Sequence, residues 1–80
     1  MKIRWLKDCE IQMEDENEED TYTCESRQAG DIDDVEIKDY GMSLTDGNKL
    51  SKDKNYPILK FNENGLVSVP VCKQWFEIME

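Results

Sequence analysis

The fold of this chain is decided by its closing stretch, Gly65-Leu66-Val67-Ser68-Val69-Pro70-Val71-Cys72-Lys73-Gln74-Trp75-Phe76-Glu77-Ile78-Met79. Residues 66–70 have the cleanest strand pattern in the sequence, with β-branched residues on both sides of Ser68. Residues 71–75 predict a 3-10 turn or a single α turn, and residues 76–79 predict a short closing strand. The chain should therefore end as strand, turn and strand.

Upstream of this stretch, a second strand-like segment and the turn residues Asn62-Glu63-Asn64-Gly65 predict a β-hairpin. A two-residue turn would place Ser68 and Pro70 opposite apolar residues. A three-residue loop at 63–65 instead pairs Phe61 with Val67 and Leu59 with Val69, so four apolar side chains share one face. We expect the three-residue loop, with Gly65 in the left-handed region.

Three more strands are predicted nearer the N-terminus. In residues 2–7, Ile3 and Trp5 alternate with charged residues and should face the core. Residues 21–26 are rich in β-branched and aromatic residues, and residues 31–38 alternate Val35 and Ile37 with acids. Ile32 is out of phase with them, which indicates a bulge or a late start of the strand.

Residues 42–55 leave two interpretations open. They form either two weak strands around an Asp46-Gly47 turn or a surface loop. Because apolar residues are few elsewhere, we expect the core to depend on the aromatic residues, which are Trp5, Tyr22, Tyr40, Tyr56, Phe61, Trp75 and Phe76.

Charge is the most unusual property of this 80-residue chain, which has the length of a single domain (1–80). The net charge is −9, but residues 8–39 alone carry −12, residues 1–7 carry +3 and residues 40–80 sum to zero. Six of the seven residues in 14–20 are acidic and predict a solvated loop. This balance disfavours direct binding to nucleic acid or to an anionic membrane.

The sequence indicates neither an enzyme nor a cofactor or metal protein. It has no histidine, no Gly-x-Ser-x-Gly and no phosphate-binding glycine-rich loop, and solvated acids lack the raised pKa that acid–base catalysis needs. Cys9, Cys24 and Cys72 are widely spaced and lack the spacing of a zinc site. We interpret them as small buried hydrophobic residues in the reduced state, although one disulfide with one free thiol remains an alternative.

The order of these elements resembles an SH3-like barrel, in which a 3-10 turn precedes the last strand and the acidic loop corresponds to the RT-type loop. The chain also resembles small uncharacterised phage and prophage proteins, through Met1 to Asp8 and through Val69 to Glu77 with its Trp-Phe-Glu segment. The Ala-Leu-Tyr-Asp-Tyr stretch of signalling SH3 domains is absent, so only the architecture is carried over. We therefore expect a mainly β fold, a small antiparallel SH3-like barrel of five to six short strands with a 3-10 or α turn before the last one.

Two functional hypotheses follow, both based on binding. The first is an acidic phage-type module that docks on a protein partner, acting as a monomer or weak homodimer. The second is a nucleic-acid mimic that inhibits a basic host enzyme, as small acidic phage proteins do with restriction or CRISPR enzymes. No stretch reaches the length of a membrane span and no signal-peptide core follows Met1, so we expect a cytoplasmic protein.

The candidate sites are an acidic surface and an aromatic anchor. Trp75 or Phe76 would serve as the anchor, because a strand that buries one of them tends to expose the other. The acidic surface comprises Glu14, Asp15, Glu16, Glu18, Glu19, Asp20, Asp31, Asp33, Asp34 and Glu36.

Overall fold

The computed structural model describes residues 1–17 and 22–79 as one curled, antiparallel half-barrel sheet. Its strands lie in the order β3-β2-β6-β5-β4-β1-β7. The mainly β prediction is confirmed, but seven strands replace the expected five to six, and two of them are long. The strands are β1 (Lys2–Trp5), β2 (Cys9–Glu14), β3 (Tyr22–Arg27), β4 (Ile32–Thr45), β5 (Lys49–Phe61), β6 (Val67–Ser68) and β7 (Phe76–Met79).

A three-residue 3-10 turn, Lys73–Trp75, precedes β7, as the sequence predicts. Within residues 1–17 and 22–79 no helix has both the length and the apolar composition that crossing a bilayer requires.

The core follows from strand alternation in β1, where Ile3 and Trp5 are both fully buried, as predicted. Trp5 lies across the ladder from Phe76, and the two rings meet edge to face with centroids 5.6 Å apart. The buried cluster consists of Ile3, Trp5, Ile11, Met13, Val35, Leu59, Phe61, Val71 and Phe76.

The expectation that seven aromatic residues build the core is correct for Trp5, Phe61 and Phe76 and wrong for two tyrosines. Tyr22 is 60% exposed and Tyr56 is 43% exposed. Tyr22 pairs with Glu14 on the solvent side of β2 and β3, and nothing in the described chain covers that side. Aliphatic side chains such as Ile11 and Met13 occupy the interior instead.

The β5–β6 hairpin differs from the predicted register. The Phe61 N–H donates to the Leu66 carbonyl and the Gly65 N–H donates to the Phe61 carbonyl, both at 2.8 Å, so four residues (62–65) form the loop. The Leu66 N–H also donates to Asn64 Oδ1 at 2.9 Å, so a side chain of the loop bonds to the first residue after it. Gly65 has φ +73°, as predicted, but Val67 lies opposite Lys60 rather than Phe61.

The predicted pairing of Leu59 with Val69 is also wrong, because a hydroxyl replaces a backbone partner there. Ser68 Oγ accepts from the Leu59 N–H at 3.0 Å and donates to the Val69 carbonyl at 2.8 Å. The chain then leaves the β5 ladder, and Val69 is 40% exposed. Its N–H donates instead to the Gln12 carbonyl of β2 at 3.0 Å.

Of the two interpretations of residues 42–55, the structure supports two strands around an Asp-Gly turn. Leu44 lies directly opposite Leu50, and the Asn48 N–H donates to the Thr45 carbonyl at 3.1 Å. Gly47 has φ +84° at the third position of this turn, where a positive φ favours glycine. This distal end of the β4–β5 hairpin, residues 42–52, is called the ribbon below.

The ribbon joins the rest of the sheet, called the body below, at a bulge. Tyr40 pairs with Pro57 and Met42 pairs with Lys52, so β5 carries extra residues between the two pairs. Gly41 is buried at this point, and a Cβ there would lie 2.8 Å from Pro70 Cβ. Glycine therefore allows the crossing segment 69–71 to approach β4.

Candidate functional site

The predicted acidic surface begins at the end of β2, where Glu14 is exposed. Asp15 is half-buried and its carboxylate accepts the Asn17 N–H at 2.9 Å. Glu16 forms an ion pair with Lys38 of β4. Glu18, Glu19 and Asp20 lie outside the described residues.

Two exposed acids of β4 lie next to positively charged groups. Asp34 accepts from the N-terminal ammonium group at 3.3 Å, and Glu36 lies directly opposite Lys60 in the β4–β5 ladder. Exposed pairs of this kind contribute roughly 0–1 kcal/mol each to stability, but they reduce the local negative potential. These acids are therefore partly neutralised.

Asp33 is a correction to the predicted acidic surface, because it is buried at 9% exposure. The β1–β4 ladder is regular here and places Asp33 opposite Ile3, in phase with Val35. Its carboxylate accepts from Trp5 Nε1 and from Arg27 Nε, both at 2.7 Å. The signal was in the sequence, since Asp33 is two residues from Val35 and hence on the same face.

Arg27 spans the interior of the half-barrel, from the edge strand β3 to β4. Its guanidinium group also donates to Glu25 at 2.9 Å and lies 5.6 Å from the centroid of the Phe61 ring. Burial alone would lower the pKa of Arg27, but the hydrogen bonds to Asp33 and Glu25 outweigh it and raise that pKa. The charge is therefore fixed, and the paired groups hold the open side of the sheet together.

An open cleft lies above this pair. Arg27 lines it together with four carboxylates, of which Glu25 and Asp33 are paired with Arg27 while Asp31 and Glu63 are not. Asp31 accepts the Gln28 N–H at 2.8 Å and has no ion-pair partner among the described residues. The cleft therefore presents more negative than positive charge.

The two candidate aromatic anchors differ in their exposure to solvent. Phe76 is 7% exposed and packs on Trp5, so it is not available at the surface. Trp75 is half-buried against the edge of the core, and the Lys7 ammonium group lies 4.9 Å from its ring centroid. Of the pair, Trp75 is the one that reaches solvent.

An exposed apolar surface in the ribbon was not predicted from the sequence. Met42, Leu44 and Leu50 in the ribbon are 56%, 68% and 65% exposed. Alternation with polar residues and the Asp46-Gly47 turn were the available signals, but they did not distinguish a projecting hairpin from a loop.

The junction between ribbon and body carries a charge pair. Lys52 donates to Asp39 at 2.7 Å, and this bond, with the Tyr40 N–H, holds the pKa of Asp39 below its ordinary value. The Asn55 N–H similarly lowers the pKa of Asp53, which also accepts from Ser43 Oγ at 3.0 Å. Both carboxylates therefore remain charged at neutral pH.

The three cysteines are free thiols. Cys9 and Cys72 are half-buried, and burial raises the pKa of Cys9. The prediction of a buried side chain is wrong for Cys24, because it faces solvent opposite Gln12 on the outer side of β3. Within the described part of the chain, no three histidine, cysteine, aspartate or glutamate side chains are grouped to hold a metal ion.

Comparisons of this chain with models of known protein families, with curated protein sequences and with solved structures found no match.

Proposed function

We propose that this protein is a non-enzymatic, acidic binding module that docks on a protein partner with a basic surface. One observation carries the proposal. Among the described residues, the cleft brings together two acids without an ion-pair partner, Asp31 and Glu63, beside the carboxylates that are already paired with Arg27.

The cleft suits a lysine or arginine side chain from the partner. Arg27 is already neutralised by Asp33 and Glu25. An incoming cation can therefore contact the carboxylates of Asp31 and Glu63 without displacing another cation from them. Such rim contacts contribute little to affinity individually, but a field of one sign accelerates encounter with an oppositely charged surface. Binding should therefore weaken as salt concentration rises.

The finer description of the fold belongs to the same proposal, namely an SH3-like barrel of phage or prophage type, acting in the cytoplasm. The 3-10 turn directly before β7 supports it. So does the pairing of β1 with β7, since the two segments that carry the phage resemblance, Met1 to Asp8 and Val69 to Glu77, contribute these adjacent strands.

The test is capture of partners from a bacterial lysate with the immobilised protein and two matched variants. The cleft variant combines Asp31→Asn and Glu63→Gln. The control combines Asp34→Asn and Glu36→Gln, which changes the net charge equally but affects acids that lie next to cations. Only the cleft variant should lose its partner, and about 0.5 M salt, where the Debye length is on the order of 4 Å, should release it.

If both variants retain the partner equally, the cleft is not the docking surface. If both variants lose the partner, the interaction depends on net charge and not on the cleft. Capture that persists in high salt would refute an electrostatic mode altogether.

The same experiment addresses the alternative function, a nucleic-acid mimic that inhibits a host enzyme, which the −12 charge of residues 8–39 favours. A mimic should enrich nucleic-acid enzymes, and duplex DNA should compete for them. Neutralising Glu14, Asp15, Glu16, Glu18, Glu19 and Asp20 to amides should then abolish capture. The ion pairs of Glu16 and Asp34 interrupt the acidic array, so we place this function second.

A further inference from the structure

We propose that the apolar face of the ribbon is a self-association surface, on which two copies of this protein pack as a weak, two-fold symmetric dimer. The surface differs from the acidic cleft, and the inference does not depend on the proposed function. Leu44 and Leu50 are cross-strand neighbours, and Met42 lies on the same face two residues before Leu44. All three side chains are more than half exposed.

The ribbon has two faces of opposite character. On the other face, Ser43 lies opposite Ser51 and Thr45 lies opposite Lys49, and Thr45 Oγ1 donates to the Lys49 carbonyl at 2.9 Å. An isolated two-stranded hairpin is marginally stable in water and gains stability when another layer covers its apolar face. The exposure of Leu44 and Leu50 shows that nothing in the described chain covers this face, so any cover comes from outside the described chain.

The charge distribution allows a second copy to be the occupant. Two molecules of net charge −9 repel each other, but the whole negative excess lies in residues 8–39, which sum to −12. Residues 42–56 are different, with Lys49, Lys52 and Lys54 against Asp46 and Asp53, which sum to +1. The tip of the ribbon is five residues beyond Tyr40, a distance of about 17 Å along an extended strand and about two Debye lengths at physiological salt.

Two ribbons packed face to face in opposite directions satisfy both the apolar and the charged groups. The two-fold axis passes near the Leu44–Leu50 pair, so the same residues of each copy meet. Asp46 at the tip of one ribbon then lies over the base of the other, where Lys52 is on the apolar face opposite Met42 and can bind Asp46 of the second copy as well as its present partner Asp39. The arrangement also keeps the two acidic regions apart.

The size of the face limits the affinity. About four residues of each strand form it, an area of roughly 14 Å by 10 Å. Stable protein interfaces bury at least about 1,200 Å² in total, so a dimer through the ribbon alone is of the weak class. We expect a dissociation constant on the order of 0.1 mM.

Sedimentation equilibrium on the full chain, from about 10 µM to about 1 mM, tests this proposal. The dimer fraction should rise with protein concentration and should also rise with salt, because salt screens the repulsion between acidic copies while the apolar contact persists. This salt response is opposite to that of the cleft, so the two proposals can fail separately.

A matched pair of variants locates the interface. Leu44→Ser with Leu50→Ser should weaken dimerisation at least tenfold. Leu6→Ser with Ile32→Ser removes two apolar side chains of the body that are also at least half exposed, at 50% and 53%, and should leave dimerisation unchanged. A chain that stays monomeric at 1 mM, or a dimer that the ribbon variant retains, overturns the proposal.

Amide chemical shifts measured across the same concentration range give an independent readout. The shifts that move should belong to residues 42–52. Movement confined to the edge strands β3 or β7 would indicate association edge to edge, and it would overturn the proposal in favour of that geometry.

Discussion

The two ends of the β4–β5 hairpin have the same antiparallel pairing and opposite surroundings. At the body end, Val35 pairs with Phe61 and both are buried; at the ribbon end, Leu44 pairs with Leu50 and both are about two-thirds exposed. Pairing decides which side chains share a face. Burial depends on whether another part of the protein packs on that face. Only the body end is covered, by β1, β2 and the crossing segment 69–71.

The largest expected contrast between the two ends is in the cost of shortening a leucine of the same strand. Leu59→Ala removes a fully buried side chain, and we expect it to lower the free energy of unfolding by about 2–5 kcal/mol. Leu50→Ala removes a side chain that is 65% exposed and should change the free energy of unfolding by at most about 0.5 kcal/mol. Urea denaturation at low protein concentration, where the chain is monomeric, measures both.

If Leu50→Ala lowers the free energy of unfolding of the monomer as much as Leu59→Ala does, the ribbon face is covered within the molecule. The contrast drawn between the two ends of the hairpin is then wrong. A cost that appears only at high protein concentration would instead agree with self-association through the ribbon.

A second contrast within β4 concerns its neighbouring acids. Asp33→Ala leaves Trp5 Nε1 without its acceptor and Arg27 without its shortest ion pair, so we expect a loss of about 2–4 kcal/mol in unfolding free energy. Asp34→Ala removes a carboxylate that is 56% exposed, and the loss should stay within about 0.5 kcal/mol.

Thermal unfolding followed by tryptophan fluorescence or circular dichroism measures the effects of these two substitutions. Equal losses for Asp33→Ala and Asp34→Ala would mean that the buried network does not stabilise the body. Asp33→Asn should fall between them, because the amide oxygen can still accept from Trp5 while the charge pair with Arg27 is lost.

Local pattern was sufficient where one residue type dominated a face. The alternation around Ile3 and Trp5 correctly predicted β1, and Gly65 correctly predicted the residue of positive φ. Residues 71–79 correctly predicted the 3-10 turn and the closing strand. In each case the local preference and the tertiary environment agree, because the apolar face of the segment is the one that the sheet covers.

Pattern was insufficient where a side chain substitutes for a backbone group. Asn64 accepts the Leu66 N–H and Ser68 accepts the Leu59 N–H, and these two bonds accompany the longer loop and the altered pairing after it. The buried position of Asp33 could be inferred from its phase with Val35, but its partner Arg27 lies on a strand that is not its neighbour in the sheet. Contacts of that kind depend on the curl of the sheet.

The candidate site was predictable in composition and not in arrangement. The excess of acids in residues 8–39 is evident from the sequence. Which acids meet Lys38, the N-terminus or Lys60 depends on register, and the cleft at Glu25, Asp31 and Glu63 unites segments far apart in the chain. The exposure of Leu44 and Leu50 likewise depends on the absence of a layer over the ribbon in the described chain.

The third contrast, smaller than the contrasts at Leu59 and at Asp33, is expected at the junction of body and ribbon, where Gly41 lies under Pro70. Gly41→Ala places a Cβ 2.8 Å from Pro70 Cβ and 2.9 Å from Pro70 Cγ, closer than carbon atoms pack, so either β4 or the segment 69–71 must shift. We expect a loss of about 1–3 kcal/mol in unfolding free energy. Because Val71 donates to the Pro57 carbonyl at 3.0 Å, the shift should also disturb β5 beside the bulge.

A double-mutant cycle with Pro70→Gly, read by urea denaturation, separates this contact from the backbone preference of residue 41. With the proline ring absent, Gly41→Ala should cost markedly less, giving a coupling energy on the order of 1 kcal/mol. An unchanged cost would show that residue 41 needs glycine for reasons other than the approach of Pro70. If Gly41→Ala costs no unfolding free energy in the Pro70→Gly background, the close crossing of segment 69–71 is the reason that residue 41 must be glycine. The crossing, rather than β4 itself, then sets where the body ends and the ribbon begins.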